Sequence, residues 1–196
     1  DDWYTTRRCA DELDDPAFVG RTAAERAVAR LGGRKVKTGD FPVLFEAPLA
    51  AGLLGGLVHA ASGGALYRKS SFLLDHLGKR VMPEFVNVSE RPHILRGLGS
   101  AVFDSDGVAT ADREVVSGGI LQGYFLSAYT ARKLGMQTTG NAGGSHNLII
   151  EPGDLDFAGL LAKMGRGLLV TELLGHGINY VTGDYSRGAA GYWVEN

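Results

Sequence analysis

The chain has 196 residues, enough for one domain, and 20 Lys and Arg against 22 Asp and Glu leave a net charge of −2. That balance supplies neither a basic surface for nucleic acid nor an acidic tail, and 44% hydrophobic residues exclude wholesale disorder. The lone cysteine, Cys9, has no partner for an intrachain disulfide, which points to a reducing, cytoplasmic setting.

The first clear element begins at Asp14-Asp15-Pro16, a capping carboxylate followed by a proline suited to a helix's first turn. Val19, Ala23, Ala27 and Leu31 then recur every four residues, and Gly32-Gly33 ends the helix. Val43-Leu44-Phe45 reads as a short buried strand. The next helix carries Leu49, Leu53, Leu57 and Ala60 on one face and stops at Ser62-Gly63-Gly64. Its internal Gly52, Gly55 and Gly56 each weaken it by about 1 kcal/mol relative to Ala. Such glycines belong where another backbone packs close or a ligand approaches. The apolar run Ala47 to Val58 spans about 12 residues, too short to cross a bilayer.

From Phe85 onward the pattern shifts towards strands. Phe85-Val86-Asn87-Val88 alternates, and Glu114-Val115-Val116, Gly118-Gly119 and Ile120-Leu121 read as a hairpin. His146 to Ile150 is a further strand, and Asp154 is expected to cap a third helix with Leu160, Leu161 and Met164 inward. Gly167 to Thr171 and Gly191 to Val194 supply late strands. The whole reads as an α+β fold: a glycine-rich, mainly antiparallel β domain with a few helices, its 29 glycines being roughly twice ordinary usage. Without an initiator Met, and ending on the alternating run Tyr192 to Asn196, residues 1–196 read as a single domain from a longer protein.

Recognised chemical motifs are mostly missing. Gly63 to Ser70 has Arg68 where a phosphate loop needs its second glycine, and Gly175 to Tyr180 has Tyr180 where a dinucleotide fingerprint needs its third. The histidines, His59, His76, His93, His146 and His176, include no pair four apart and none followed by Glu, so no zinc-protease helix is present. Two glycine-flanked polar clusters remain, Thr138 to Asn147 and Thr182 to Gly191. Their glycines let backbone groups face a peptide or an anion. The same residues also suit ordinary turns, with Asp184 and Arg187 forming a local ion pair.

Taken with Tyr67 to Asp75, Phe103-Asp104-Ser105-Asp106-Gly107-Val108 and Tyr129 to Gly135, these clusters resemble the TldD/PmbA family, and within it the PmbA (TldE) branch. The blocks Thr139 to Gly144 and Thr182 to Asn196 carry the resemblance furthest. It implies most of that family's C-terminal domain, with an N-terminal domain and final strands absent from this chain. It also implies a cytoplasmic metalloprotease assembly of two related subunits, a heterodimer historically named a modulator of DNA gyrase. That assembly acts on unfolded peptides, in peptide-antibiotic precursor maturation and antitoxin degradation.

TldD-type subunits hold zinc through an H-E-x-x-x-H helix, to which Phe45-Glu46-Ala47-Pro48-Leu49-Ala50 corresponds by position. Glu46 matches the general base, but Phe45 and Ala50 replace both histidines, and neither can donate a lone pair to zinc. The resemblance thus implies a non-catalytic subunit with no cofactor of its own, the zinc lying in a TldD-like partner. Contacts with that partner or with an unfolded peptide are expected at Asn141, Gly143, Gly144, His146, Asp184, Ser186 and Arg187; no metal ligand, nucleic acid or membrane is expected. Two alternatives stand beside it. One is an autonomous metal-dependent hydrolase using His146, His176, Glu172 and Asp184; the other is a regulatory binding protein acting on gyrase.

Overall fold

A computed structural model describes residues 1–195. After a short 3₁₀ turn at Ala10–Glu12, helix α1 covers Pro16–Ala29. It starts as its sequence predicts: the Asp15 side chain accepts from the Ala17 N–H at 3.0 Å, and Pro16 fills the first turn. Its repeat is nevertheless not a buried stripe. No residue of α1 is buried, and Val28 and the following Leu31 are largely exposed.

Strand β1 (Val43–Phe45) leads directly into helix α2 (Ala47–Ala60), which Ala61 and Ser62 separate from the short helix α3 (Gly63–Tyr67). Strands β2 (Val88–Glu90), β3 (Arg113–Ser117) and β4 (Ile120–Leu121) precede helix α4 (Ala128–Leu134) and strand β5 (Leu148–Ile150). Helix α5 (Phe157–Met164) is followed by β6 (Arg166–Leu174), the small hairpin β7 (Ile178–Asn179) and β8 (Asp184–Tyr185), and the long β9 (Gly188–Glu195). No helix among the described residues is long and apolar enough to cross a membrane.

Two principal sheets result. One has the order β4-β3-β2-β5 and is antiparallel throughout; the other has the order β1-β6-β9. In the second, β6 and β9 pair antiparallel, whereas β1 runs parallel to β6 with Phe45 opposite Val170. The domain is therefore α+β and mainly antiparallel, with one parallel pair. The β3–β4 turn forms where glycines allow it: Gly118 and Gly119 have φ of 54° and 74°, as a tight two-residue hairpin requires.

The core lies between the four-stranded sheet and the helices. Val88, Val115, Val116 and Leu121 from the sheet meet Leu57 and Ala60 at the end of α2, Leu66 of α3 and Ala131 of α4. The expected α2 face divides at its midpoint. Leu57 and Ala60 are buried, but Leu53 is 43% exposed, because the first half of α2 borders an open groove.

Several element boundaries differ from the sequence expectations. The strand expected at Phe85 to Val88 begins at Val88, since Phe85 lies in a turn and is 83% exposed. That expected at His146 begins at Leu148, because the His146 N–H turns aside to the Glu90 carboxylate. Asp156 rather than Asp154 caps α5, accepting from the Gly159 N–H at 2.8 Å. Helix α4 was not expected from periodicity. It is set by its ends, a reciprocal Ser127–Thr130 capping box and a left-handed Gly135.

Candidate functional site

Three groups of side chains make up the site region. The first surrounds Glu46, which leaves β1 on a backbone hydrogen bond from its N–H to the Val170 carbonyl at 3.0 Å. Glu46 occupies the N-cap position of α2, yet its carboxylate makes no cap bond. It is gripped instead by Arg26 of α1, Nη1 to Oε1 at 2.6 Å and Nη2 to Oε2 at 2.9 Å, a planar two-point pairing. This contact raises the Arg26 pKa, outweighing the opposite effect of burial. At the C-terminal cap of α1, Arg30 pairs with Glu172 of β6, and Asp1 lies within 3.6 Å of Arg26 and 3.5 Å of Arg30. These ion pairs line a cavity of about 610 Å³. Phe45 and Ala50, both half-buried, stand on either side of Glu46 in the sequence, and neither side chain can donate a lone pair to a metal.

The second group is built on Glu90, the last residue of β2 and 1% exposed. Burying a carboxylate this deeply requires full compensation. Arg113 Nε donates to Oε2 at 2.6 Å, while Asn141 Nδ2 at 2.8 Å and the His146 backbone N–H at 2.6 Å both donate to Oε1. The His146 ring Nδ1 lies 3.2 Å from the same oxygen. Asn141 is closed further by Thr139, whose hydroxyl donates to its Oδ1 at 2.7 Å. A neighbouring carboxylate, Asp104, accepts from the Asp106, Val108 and Ala142 backbone N–H groups, each at 2.9 Å. Burial alone would raise the Asp104 pKa, but these three donors, with His146 nearby, hold it below the ordinary aspartate value. The loop through Gly143 and Gly144 is thereby clamped from both sides.

The third group is the β7–β8 hairpin and the turn into β9. The Ser186 N–H donates to the Gly177 carbonyl at 2.7 Å. A Cβ at Gly177 would lie 1.7 Å from the Ser186 carbonyl oxygen, so only glycine fits that approach. The expected Asp184–Arg187 ion pair does not form: Asp184 Oδ2 accepts from the Thr182 hydroxyl at 2.6 Å, and Arg187 makes no ion pair among the described residues.

The expected contact residues thus fall into two places. Asn141, Gly143, Gly144 and His146 surround Glu90 and Asp104, whereas Asp184, Ser186 and Arg187 lie in and just after the separate β7–β8 hairpin, Arg187 alone of these reaching a cavity lined by α2. The alternative set His146, His176, Glu172 and Asp184 is scattered: His146 faces Glu90, Glu172 is paired with Arg30, and His176 is exposed before β7. No three His, Cys, Asp or Glu side chains among the described residues are placed to hold a metal ion. Glu90 escaped the sequence reading because a single Glu after Val88-Ser89 has no distinguishing neighbours. Its role exists only once Arg113, Asn141 and His146 converge on it.

Residues 38–196 match the family model for the PmbA/TldA metallopeptidase C-terminal domain. The chain is 53% identical to the metalloprotease PmbA homolog of Haemophilus influenzae over 98% of its own length and 43% of the relative's. It therefore spans less than half the length of that curated relative. The crystal structure of a proposed modulator of DNA gyrase from Bacteroides thetaiotaomicron superposes with a TM-score of 0.93 at 33% identity, covering 99% of this chain and 44% of that one. The other branch is more distant, at 26% identity to the TldD homolog of H. influenzae over 86% of this chain and 37% of that protein. The chain belongs to the PmbA/TldD metallopeptidase family, on its PmbA branch, and residues 38–196 are the family's C-terminal domain.

Proposed function

We propose that this domain belongs to the non-catalytic half of a two-subunit, cytoplasmic TldD–PmbA-type metalloprotease, in which it shapes a cleft where an unfolded peptide meets the zinc of a TldD-like partner. The observation that carries this reading is the state of Glu46. A general base needs a free lone pair beside a metal-bound water. Here both carboxylate oxygens are held by Arg26, with Phe45 and Ala50 in place of metal ligands. What this half contributes is backbone-rich surface: the Asn141–Gly144 loop held by Glu90 and Asp104, and the glycine-flanked hairpin at Asp184 to Arg187. Surfaces of this kind take extended peptides with little side-chain preference.

The test is metal content and casein hydrolysis by the full-length protein, alone and mixed with a TldD-type partner. The expected result is no stoichiometric zinc and no hydrolysis alone, with hydrolysis in the mixture that chelators abolish. Stoichiometric zinc and hydrolysis by the protein alone would overturn the reading.

A further inference from the structure

The first half of α2 combines two features that its helical role does not explain. Gly52 and Gly56 lie on one side of the helix, and a Cβ built on either meets nothing within 4 Å. These glycines, which weaken the helix, are not there to admit a packed neighbour; they floor an open groove of about 380 Å³. Its lining is largely apolar and includes Leu49, Leu53 and Leu57 of α2 with Phe72, Met82 and, from β6, Leu173. This volume lies within the range of sites that take a small ligand or one or two large side chains.

Arg187, on the turn between β8 and β9, also lines the groove. Its Nε is shielded from solvent and has no hydrogen-bond partner, and no carboxylate among the described residues pairs with it. The nearest acidic residue in sequence, Asp184, is occupied by Thr182. A guanidinium half-buried beside an apolar trough without its own counter-ion is matched by an anion that arrives attached to an apolar group. Elsewhere in the domain the arginines with shielded nitrogens already have carboxylates: Arg26 has Glu46, and Arg113 has Glu90.

We propose that this groove binds the carboxyl terminus of a peptide, its large apolar last side chain lying over Gly52 and Gly56 and its terminal carboxylate on Arg187. The choice of a peptide end rests on reading the chain as the peptide-handling half of a protease, since cutting an unfolded chain creates new carboxyl termini. The apolar walls select Leu or Phe as the last residue and reject Asp or Ser.

The experiment is direct binding to the full-length protein without a partner, measured by fluorescence anisotropy. The probes are labelled hexapeptides ending in Leu as the free acid, in Leu as the amide, and in Ser as the free acid; decanoate serves as a competitor. The Leu acid is expected to bind at least about tenfold more tightly than either other peptide. Arg187→Gln should remove the preference for acid over amide and leave the amide's affinity unchanged. Gly56→Leu should abolish binding by filling the groove, and because Leu is the better helix former, it should not unfold α2. Equal binding of acid and amide, binding indifferent to Gly56→Leu, or no binding at all would each overturn the proposal. This readout needs neither metal nor partner. Loss of peptide binding with an active mixture therefore condemns only the groove, and binding with an inactive mixture condemns only the subunit reading.

Discussion

At the level of single residues, the buried carboxylates matter more than the exposed ones. Asp104 is 5% exposed and has three backbone N–H donors, one of which, from Ala142, belongs to the loop between Asn141 and Gly144. Its folded-state pKa is lowered, so its stabilising contribution is complete above the ordinary aspartate value and is lost as the pH falls through the depressed folded value. Asp104→Asn keeps the shape but turns an amide N–H₂ towards at least one of those donors. The expected cost is about 1–3 kcal/mol at neutral pH, read as a fall in the urea midpoint. The gap between the variant and the parent should narrow as the pH is lowered below about 4, because the unfolded parent then takes up a proton that folded Asp104 still resists. A gap that stays constant with pH would show that the charge of Asp104 is not what holds the loop. None of this was legible from sequence. Phe103-Asp104-Ser105-Asp106-Gly107 announces a turn, but which backbone N–H groups Asp104 would collect depends on a loop some 38 residues later.

At the level of elements, the sequence is most readable where local chemistry dictates the backbone. The β3–β4 hairpin follows from two glycines flanked by apolar runs, and α1 from an Asp-Pro start; both form where expected. Helix α4 escapes a reading based on apolar repeats because, at seven residues, it is too short to show one, and only its caps define it. The same distinction separates two kinds of glycine. At Gly119, φ is 74° and an added Cβ would sit 2.2 Å from the Met82 carbonyl oxygen. Gly119→Ala therefore combines left-handed strain of about 1–2 kcal/mol with a backbone clash, and a total loss above about 2 kcal/mol is expected. Gly20, within α1, has nothing within 4 Å and ordinary helical geometry, so Gly20→Ala should raise stability by about 0.5–1 kcal/mol. Denaturant titration of both variants checks the pair, and a neutral Gly119→Ala would mean that the β3–β4 turn can take another form.

At the level of the whole molecule, the domain has an apolar half and an ionic half. The four-stranded sheet with α3, α4 and the end of α2 buries a continuous apolar cluster, whereas α1 has no buried residue at all. What ties α1 to the sheet of β1, β6 and β9 is chiefly charge: Arg26 on Glu46 ahead of α2, and Arg30 on Glu172 of β6. Half-buried ion pairs of this kind, of which Arg26–Glu46 is two-point and Arg30–Glu172 single, hold orientation, but they supply far less cohesion than a packed core. The two halves should consequently open separately. In the 196-residue chain, hydrogen exchange of the α1 amides is expected to be much faster than that of Val115 and Val116 in the buried strand β3. Replacing both arginines, Arg26→Ala with Arg30→Ala, should accelerate exchange across α1 by at least about tenfold while leaving the β3 amides unchanged, since no core contact is touched. If β3 accelerates equally, the ion pairs are part of one cooperative unit and the division is wrong. If neither responds, α1 is held by its apolar side chains despite their exposure. The outcome bears on the site region, because the arginines that fasten α1 are the groups that occupy the carboxylates of Glu46 and Glu172 around the cavity they line.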